Sequence, residues 1–234
     1  MDYHDRQIKH VRSKDRITYH CSQCGKCCTH TKNSIMLESL DAYRIAGFLN
    51  RNGENFYGTE DVYNRYCIPM PLTEKGYPVF LLDTCGPEDS CVFFKEGRCS
   101  IYPVRPRTCR LYPFTVAPGT KGKDFEYFLC TDRPHHLSGG KISVKDWLYQ
   151  NFRQEDKDFV IREFQYAAEI GRLMAQIDSG KQEQAVFLLL FFLYYDYDIR
   201  EPFMSQYENN HRQLLEHLNT LVGARKGGLY ESSR

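Results

Sequence analysis

The stretch Cys21-Ser22-Gln23-Cys24-Gly25-Lys26-Cys27-Cys28 places four thiols within eight positions. Two intervening residues are enough to turn the backbone around an ion or a cluster, so Cys21, Cys24 and Cys27 can converge on one metal centre. Cys28 follows Cys27 directly, and its side chain must therefore point elsewhere. The stretch predicts a small, loop-rich domain that is organised around metal.

Disulfide bonds are the main alternative use of these cysteines. The first residues, Met1 to Arg6, lack the apolar core of a secretory signal peptide, so we expect reduced thiols and a cytoplasmic location. Neighbouring cysteines such as Cys27 and Cys28 cannot bridge each other without strain. Core packing alone does not call for four cysteines in so short a stretch, which leaves metal binding as the favoured interpretation.

Two more cysteines open short β-prone runs. Cys91-Val-Phe-Phe94 and Cys99-Ser-Ile-Tyr102 are joined by the turn-like Lys95-Glu-Gly-Arg98. This pattern predicts a hairpin that brings two thiols near one end.

The last two cysteines of the set follow on stiff local elements. Pro106 can start a helical turn and Pro113 prevents its extension, so Cys109 is expected on a brief helix. Cys130 ends the aromatic strand candidate 125–130.

Taken together, three signatures resemble the CxxCxxCC (YkgJ-like) family of cysteine-cluster proteins, which are regarded as zinc- or iron-chelating domains. The signatures are C-x-x-C-G-x-C-C, then C-V-F-F with G-x-C-S-I-Y, then R-P-x-x-C-R-x-Y-P-F, within residues 20–131. The resemblance implies metal chelation through Cys21, Cys24, Cys27, Cys28, Cys91, Cys99, Cys109 and Cys130. Flagellin lysine N-methylase contains a similar cysteine domain, which suggests a protein-modifying enzyme by analogy only.

The pattern leaves the metal open. Eight cysteines divide into two tetrahedral four-cysteine zinc sites, and the adjacent Cys27 and Cys28 favour two centres close together. The C-x2-C-x2-C triplet also resembles a ferredoxin run, which needs one distant fourth cysteine. Zinc is the leading prediction, and iron or an iron-sulfur cluster is the alternative.

Some further residues stay open as ligands. Cys67 stands among apolar neighbours and is predicted to be a small buried hydrophobe. Additional ligands could come from Cys85, His20, His30, His135 and His136. Cations beside the cysteines are predicted to compensate thiolate charge: Lys26, Arg98, Arg105, Arg107 and Arg110.

Composition and charge indicate the class of partner and the domain organisation. The 31 Lys and Arg residues balance 30 Asp and Glu residues, so no global basic field favours nucleic acid as a partner. We predict a basic arm at residues 1–18, a cysteine-cluster domain at 19–138, a helical region at 139–226 and a tail at 227–234. The predicted fold class is α+β with a C-terminal α-helical region.

Periodicity and caps place the scaffold. A helix is expected from Ser39 to about Asn50, and a buried strand at Pro78 to Leu82. C-terminal helices are predicted after Ser143, through Val160 to Met174, over 185–195 and over 203–222. The apolar run 185–195 has about half the length that a bilayer requires, so no membrane span is expected.

Motifs of other catalytic classes are missing from the sequence. It contains no G-x-G-x-x-G, P-loop, H-E-x-x-H or G-x-S-x-G pattern, and no C-x3-C-x2-C of radical SAM enzymes. The leading prediction is a metal-chelating cysteine-cluster protein. The alternatives are a metal-dependent or redox enzyme, and an adaptor that binds an unidentified protein partner through the helical region.

Overall fold

The computed structural model describes residues 8–21, 23–120 and 122–223. The tail 227–234 lies outside these residues, as do the first seven residues of the basic arm. The chain folds as two compact units that each combine distant stretches of sequence. The first unit contains the chain up to Thr31 together with Cys85–Gln165, and the second contains Lys32–Thr84 together with the chain from Tyr166 onward.

The described residues form short strands and helices of mixed length. The strands are β1 (Ile8–Val11), β2 (Arg16–Thr18), β3 (Cys67–Pro71), β4 (Pro78–Leu82), β5 (Thr84–Cys85), β6 (Ser90–Cys91), β7 (Phe94–Lys95), β8 (Arg98–Cys99), β9 (Phe114–Pro118), β10 (Phe125–Cys130) and β11 (Lys141–Ser143). The helices are α1 (Ser39–Arg51), α2 (Thr59–Tyr66), α3 (Arg107–Leu111), α4 (Val144–Asn151), α5 (Gln154–Gln176), α6 (Gln182–Leu190) and α7 (Phe203–Gly223). This confirms the predicted α+β class with a helical C-terminal region.

Small antiparallel sheets and tight turns build the first unit. Strands β1, β10 and β9 form a sheet in that order, with Ile8 opposite Cys130 and Leu129 opposite Phe114. Strands β7 and β8 form a hairpin around the predicted turn and pair Phe94 with Cys99, but Cys91 was expected in this hairpin and lies instead in β6, which pairs with β5. A 3₁₀ turn at Lys26–Cys28 and another at Pro134–His136 complete the frame of the cysteine cluster.

The second unit has a larger apolar core. Strand β4 is buried along its whole length and pairs with β3, whose outer residues are exposed. Tyr63 of α2 packs on Phe80 of β4, with ring centroids 4.4 Å apart. The helical part of the core includes Leu173, Leu189, Leu214 and Leu218, each no more than 1% exposed.

Local sequence signals placed most of these elements correctly. Ser143 caps α4 by accepting a hydrogen bond from the backbone N–H of Asp146. Ser39 was expected to cap α1, but it is the first helical residue and Glu38 occupies the cap position without a side-chain hydrogen bond. The apolar run 185–195 is helical, with a widened π-helical turn at Phe191–Tyr195.

The two units group the chain differently from the predicted linear ranges. Residues 32–84 belong with the C-terminal helices, while residues 139–165 belong with the cysteine cluster. The apolar strand β4 explains the first difference, because its side chains pack among aromatic residues of the second unit such as Tyr194. None of the helices in the described part of the chain is both long enough and apolar enough to cross a bilayer.

Candidate metal centre

Gly25 shapes the first cysteine loop. Its backbone adopts φ +73°, a left-handed conformation that glycine reaches without steric cost, and it leads into the 3₁₀ turn Lys26–Cys28. The ring of Phe94 occupies the space that a Cβ at Gly25 would need. The first cysteine loop therefore lies directly against hairpin β7–β8, which carries Cys99.

Cys27 and Cys28 form the closest thiol pair. Cys28 was expected to point away from Cys27, but their Sγ atoms are 3.9 Å apart. The pKa of Cys27 is lowered to about 6, chiefly by the hydrogen bond from the Cys28 thiol and also by the guanidinium charges of Arg105 and Arg133. The same hydrogen bond raises the pKa of Cys28. Cys27 is therefore a thiolate near neutral pH, and the thiolate is the form that binds metal.

Cys91 and Cys99 lie close enough to this pair for their charges to act on it. Negative charge on either thiol adds to the causes that raise the pKa of Cys28. Burial raises the pKa of Cys91 to about 11, and charge on Cys99, Cys85 and Cys27 acts in the same direction. We call Cys27, Cys28, Cys91 and Cys99 the four-thiol group. Its residues come from two stretches of sequence, and Cys85 lies beside it.

A second set of side chains surrounds His136. The Cys24 Sγ lies 3.6 Å from His136 Nε2, and the Tyr112 hydroxyl lies 2.8 Å from His136 Nδ1. Burial lowers the pKa of His136, so its imidazole is neutral at pH 7.

Two tyrosines near His136 are also close to further cysteines. Burial raises the pKa of Tyr112, and the next cause is charge on Cys130. Burial likewise raises the pKa of Tyr19, followed by charge on Cys21. The Tyr19 and Tyr112 rings are 6.2 Å apart in an edge contact. We call Cys21, Cys24, Cys130 and His136 the His136 group.

The remaining cysteines have different settings. Cys109 is half-buried in α3, and its backbone N–H donates to the Pro106 carbonyl. Cys67 begins β3 in the second unit and is half-buried rather than fully buried. The ten cysteines all lie among the described residues, and none of them forms a disulfide bond.

The donor sets fit a thiophilic metal in chemistry and in pairwise spacing. Ligands of a tetrahedral zinc ion are roughly 3.8 Å apart for two sulfurs and roughly 3.6 Å apart for a sulfur and a nitrogen, given usual bond lengths. The Cys27–Cys28 separation of 3.9 Å and the Cys24–His136 separation of 3.6 Å agree with these values. Within the described residues, no three His, Cys, Asp or Glu side chains converge on one point as a finished metal site.

The cations around the thiols differ in part from those that sequence adjacency indicated. Arg105 was expected near the thiols, and its charge contributes to the lowered pKa of Cys27. Burial raises the pKa of Cys99, and the Arg105 charge opposes that rise. Arg133 acts on Cys27 as well, but it was missed because it is distant from Cys27 in sequence. Arg110 is buried and donates to both carboxylate oxygens of Asp156.

A cavity of about 390 Å³ opens beside the first cysteine loop. Its lining includes Cys24, Lys26, His30, Glu88, Phe94 and Arg133. The Arg133 guanidinium donates to the Thr29 carbonyl, and the His30 N–H donates to the Glu88 carbonyl. The Cys24 sulfur is therefore accessible to a small molecule.

Free thiols gathered from four stretches of chain, with cations and a neutral imidazole among them, define a cysteine-cluster protein. Residues 20–133, just under half of the chain, match the CxxCxxCC family model, which is described as "putative zinc- or iron-chelating domain". The matched segment contains all three signatures, and the predicted resemblance is confirmed.

A relative extends the similarity beyond the family domain. An uncharacterized protein of Methanocaldococcus jannaschii is 29% identical over 150 residues, which cover 62% of this chain and 73% of that protein. No solved structure matches the chain significantly.

Proposed function

We propose that this protein chelates zinc in two neighbouring centres built from the eight cysteines of the family signatures. The observation that carries the proposal is the Cys27–Cys28 pair, whose Sγ atoms are 3.9 Å apart and on which charge at Cys91 and Cys99 acts. Four thiolates complete one tetrahedral zinc site, so the four-thiol group fills the first centre. The other four signature cysteines then require a second centre.

The remaining cysteines supply the other centre in this proposal. Charge on Cys21 acts on Tyr19 and charge on Cys130 acts on Tyr112, while Cys24 lies 3.6 Å from His136. Cys109 lies on the short helix before Tyr112. Bound zinc would supply cross-links between chain segments that are roughly 60 to 110 residues apart, a closure that local contacts cannot provide. Binding requires reduced thiols, so we place the protein in a reducing compartment such as the cytoplasm.

Metal analysis tests this proposal directly. The full chain is purified without air, its zinc and iron contents are measured, and native thiols are alkylated and mapped. Two zinc ions per chain with all eight cysteines protected are the expected result, while Cys67 and Cys85 react. One ion with four signature thiols still alkylated would refute the two-centre arrangement. Stoichiometric iron in a brown protein would replace zinc with an iron-sulfur cluster.

A matched pair of variants separates ligation from general damage. Cys28→Ala should lose metal, because Cys28 belongs to the four-thiol group. Cys67→Ala removes a thiol of the second unit and should retain the full metal content. Equal metal contents in the two variants would contradict the assignment of Cys28.

A metal-dependent enzyme, for example one that modifies proteins, is the second candidate, and the cavity beside Cys24 favours it. Catalytic zinc sites keep one position open to water or substrate, whereas structural sites are closed. The test is to load the chain with Co²⁺ and add cyanide. A changed visible spectrum supports an open position, and an unchanged spectrum supports a closed structural centre. The adaptor function stays a prediction; Phe187 and Phe191, exposed one helical turn apart, are the kind of surface that it requires.

A further inference from the structure

His136 differs from the other histidines near the cysteine cluster. His20, His30 and His135 are exposed, whereas His136 is only 8% exposed. It lies in the 3₁₀ turn Pro134–His136 that follows strand β10. Hydrogen bonds fix this turn, because the His136 N–H donates to the Arg133 carbonyl and the His136 carbonyl accepts from the His20 N–H. The imidazole is therefore held in place by the backbone as well as by its ring contacts.

Both ring nitrogens have defined neighbours. Nε2 faces the Cys24 thiol at 3.6 Å, and Nδ1 lies 2.8 Å from the Tyr112 hydroxyl. Two tautomers fit these contacts, and in one of them the Cys24 thiol donates to Nε2 while the ring proton on Nδ1 is donated to the Tyr112 oxygen. This is the tautomer that leaves the Nε2 lone pair available to a metal.

We propose that His136 ligates the same metal ion as Cys24 through Nε2, and that Tyr112 is the positioning residue that fixes its tautomer and ring orientation. The proposal rests on the metal-chelating function proposed above and deepens it: His136 takes the fourth position of the second centre in place of Cys109, which this assignment leaves without a metal bond. The 3.6 Å separation equals the distance of roughly 3.6 Å expected between a sulfur and a nitrogen on one tetrahedral zinc ion. On binding, the metal takes the place of the thiol proton between Sγ and Nε2, and that proton is released to water.

The Tyr112 contact is of the kind that metal-bound histidines usually have. Such a ligand almost always donates its second N–H to a neighbouring acceptor, and losing that acceptor weakens metal binding. The Tyr112 ring also meets the His136 ring edge-on, with centroids 5.5 Å apart. Orientation is thus set from two directions, by the hydrogen bond and by the ring packing.

The same pair could instead serve as a cysteine nucleophile and its base. The surroundings favour metal binding, because charge on Cys130 and Cys27 acts on Tyr112, and Cys21 adjoins Tyr19. Thiols gathered around a neutral imidazole supply further ligands. A nucleophilic Cys24 would remain reactive in the metal-loaded protein, which makes the two assignments separable.

The test uses the full chain loaded with zinc and studied by X-ray absorption, which distinguishes nitrogen from sulfur ligands. The wild type should show imidazole scattering, and His136→Ala should lose it together with roughly half of the bound zinc, which corresponds to one of two centres. The neighbouring exposed histidine supplies the control, since His135→Ala should match the wild type. His136→Cys should restore metal content with sulfur scattering alone.

Tyr112→Phe tests positioning rather than ligation. It should keep the imidazole signal but weaken zinc binding roughly 10- to 100-fold in competition with a chelator. Imidazole scattering that persists in His136→Ala, or rapid alkylation of Cys24 in the zinc-loaded wild type, would overturn the proposal. A wild type that binds no metal would instead overturn the proposed function itself.

Discussion

Arg110 lies in the third family signature, yet its side chain stabilises the scaffold. Its guanidinium donates to both carboxylate oxygens of Asp156, at 2.8 and 3.2 Å, and to the carbonyls of Asn151 and Arg105. Asp156 is fully buried. Removing one partner of a buried, hydrogen-bonded ion pair leaves the other charge without compensation.

Arg110→Ala is therefore expected to lower the free energy of unfolding by about 3–5 kcal/mol. Urea unfolding of the metal-loaded protein measures the change. Arg172→Ala is the matched control, because Arg172 is exposed and its nearest carboxylate oxygen, on Glu169, is 4.0 Å away. An exposed pair of this kind contributes about 0–1 kcal/mol. A similar loss of unfolding free energy in both variants would show that the buried pair stabilises the fold no more than the exposed pair does.

His211 gives the second unit a pH-dependent stability. Its Nδ1–H donates to the Tyr207 carbonyl, while its buried Nε2 has no hydrogen-bond partner among the described residues. Burial lowers the pKa of His211 to about 4. Between about pH 6.5 and pH 4 the unfolded chain binds a proton at this residue that the folded chain does not.

Stability should consequently fall as the pH drops through this window, by up to about 3 kcal/mol from this residue. Above pH 6.5 the histidine is neutral in both states and contributes no slope. His211→Gln should flatten the difference in unfolding free energy between pH 7 and pH 4, as measured by urea titrations. His217→Gln, an exposed position on the same helix, should keep the wild-type slope. Parallel curves for His211→Gln and the wild type would refute the assignment.

At the level of single residues, sequence spacing identified the clustered thiols but did not identify the side chains that surround them. The spacing of Cys21, Cys24 and Cys27 is itself a chemical constraint, so it can be recognised without a structure. Arg133 and Tyr112 act on the thiols through contacts across distant segments, and nothing in their local sequence indicates those contacts. The buried role of Arg110 depends on Asp156, which no local pattern pairs with it.

At the level of elements, local sequence patterns predicted several helices and strands correctly. Helix α7 and the hairpin β7–β8 were predicted from periodicity and turn residues, and the structure contains both. The hairpin is shorter than expected, because Ile101 is buried and the chain then enters a 3₁₀ turn at Tyr102–Val104. Its loop places Glu96 and Gly97 at positive φ, as a two-residue hairpin turn requires.

Substitutions at two glycines test whether zinc binding depends on the contact between the first cysteine loop and Phe94. Gly25 and Gly97 have nearly equal φ values of +73° and +74°, so replacement by Ala costs each of them a similar backbone strain of about 1–2 kcal/mol. Only at Gly25 does a new Cβ meet the Phe94 ring; at Gly97 it would meet no atom of the described residues within 4 Å.

Gly25→Ala should therefore weaken zinc binding by roughly tenfold or more, since about 1.4 kcal/mol corresponds to tenfold. Gly97→Ala should lose stability without a comparable loss of affinity. Chelator competition measures both variants. Equal zinc affinities of the two variants would mean that the contact between the first cysteine loop and Phe94 does not hold the thiols in the geometry that zinc requires.

At the scale of the whole molecule, the two units differ in how they are stabilised. The second has a continuous core of fully buried leucines and aromatic residues. The first contains strands of two to six residues and the cysteines of the family signatures. Structural zinc contributes roughly 10 kcal/mol or more of folding free energy in small domains of this type.

Metal removal should accordingly loosen the first unit and spare the core of the second. Hydrogen exchange of the chelator-treated chain should become fast over β7, β8 and the turn Lys26–Cys28. Amides of α7 around Leu214 should remain protected, because that helix packs in an apolar core of its own. Protection that stays unchanged in β7 and β8 after complete metal removal would show that the first unit is stable without metal.

The division into two units could not be predicted from the sequence, and the reason is physical. Hydrophobic periodicity reports which face of an element is buried, but not which distant element covers it. Strand β4 was recognised as buried, yet its packing against Tyr194, which follows it by more than a hundred residues, carries no local signal. The linear ranges 19–138 and 139–226 follow composition, whereas the units follow contacts.

Because the first unit is assembled from separated segments, its thiols are made at different times. Cys28 is translated roughly 60 residues before Cys91 and roughly 110 before His136, an interval of about 3–20 s at usual elongation rates. During that interval the nascent chain exposes its first four cysteines before the later ones exist. A brief pulse of oxidant should consequently damage growing chains on the ribosome far more than finished, metal-loaded protein.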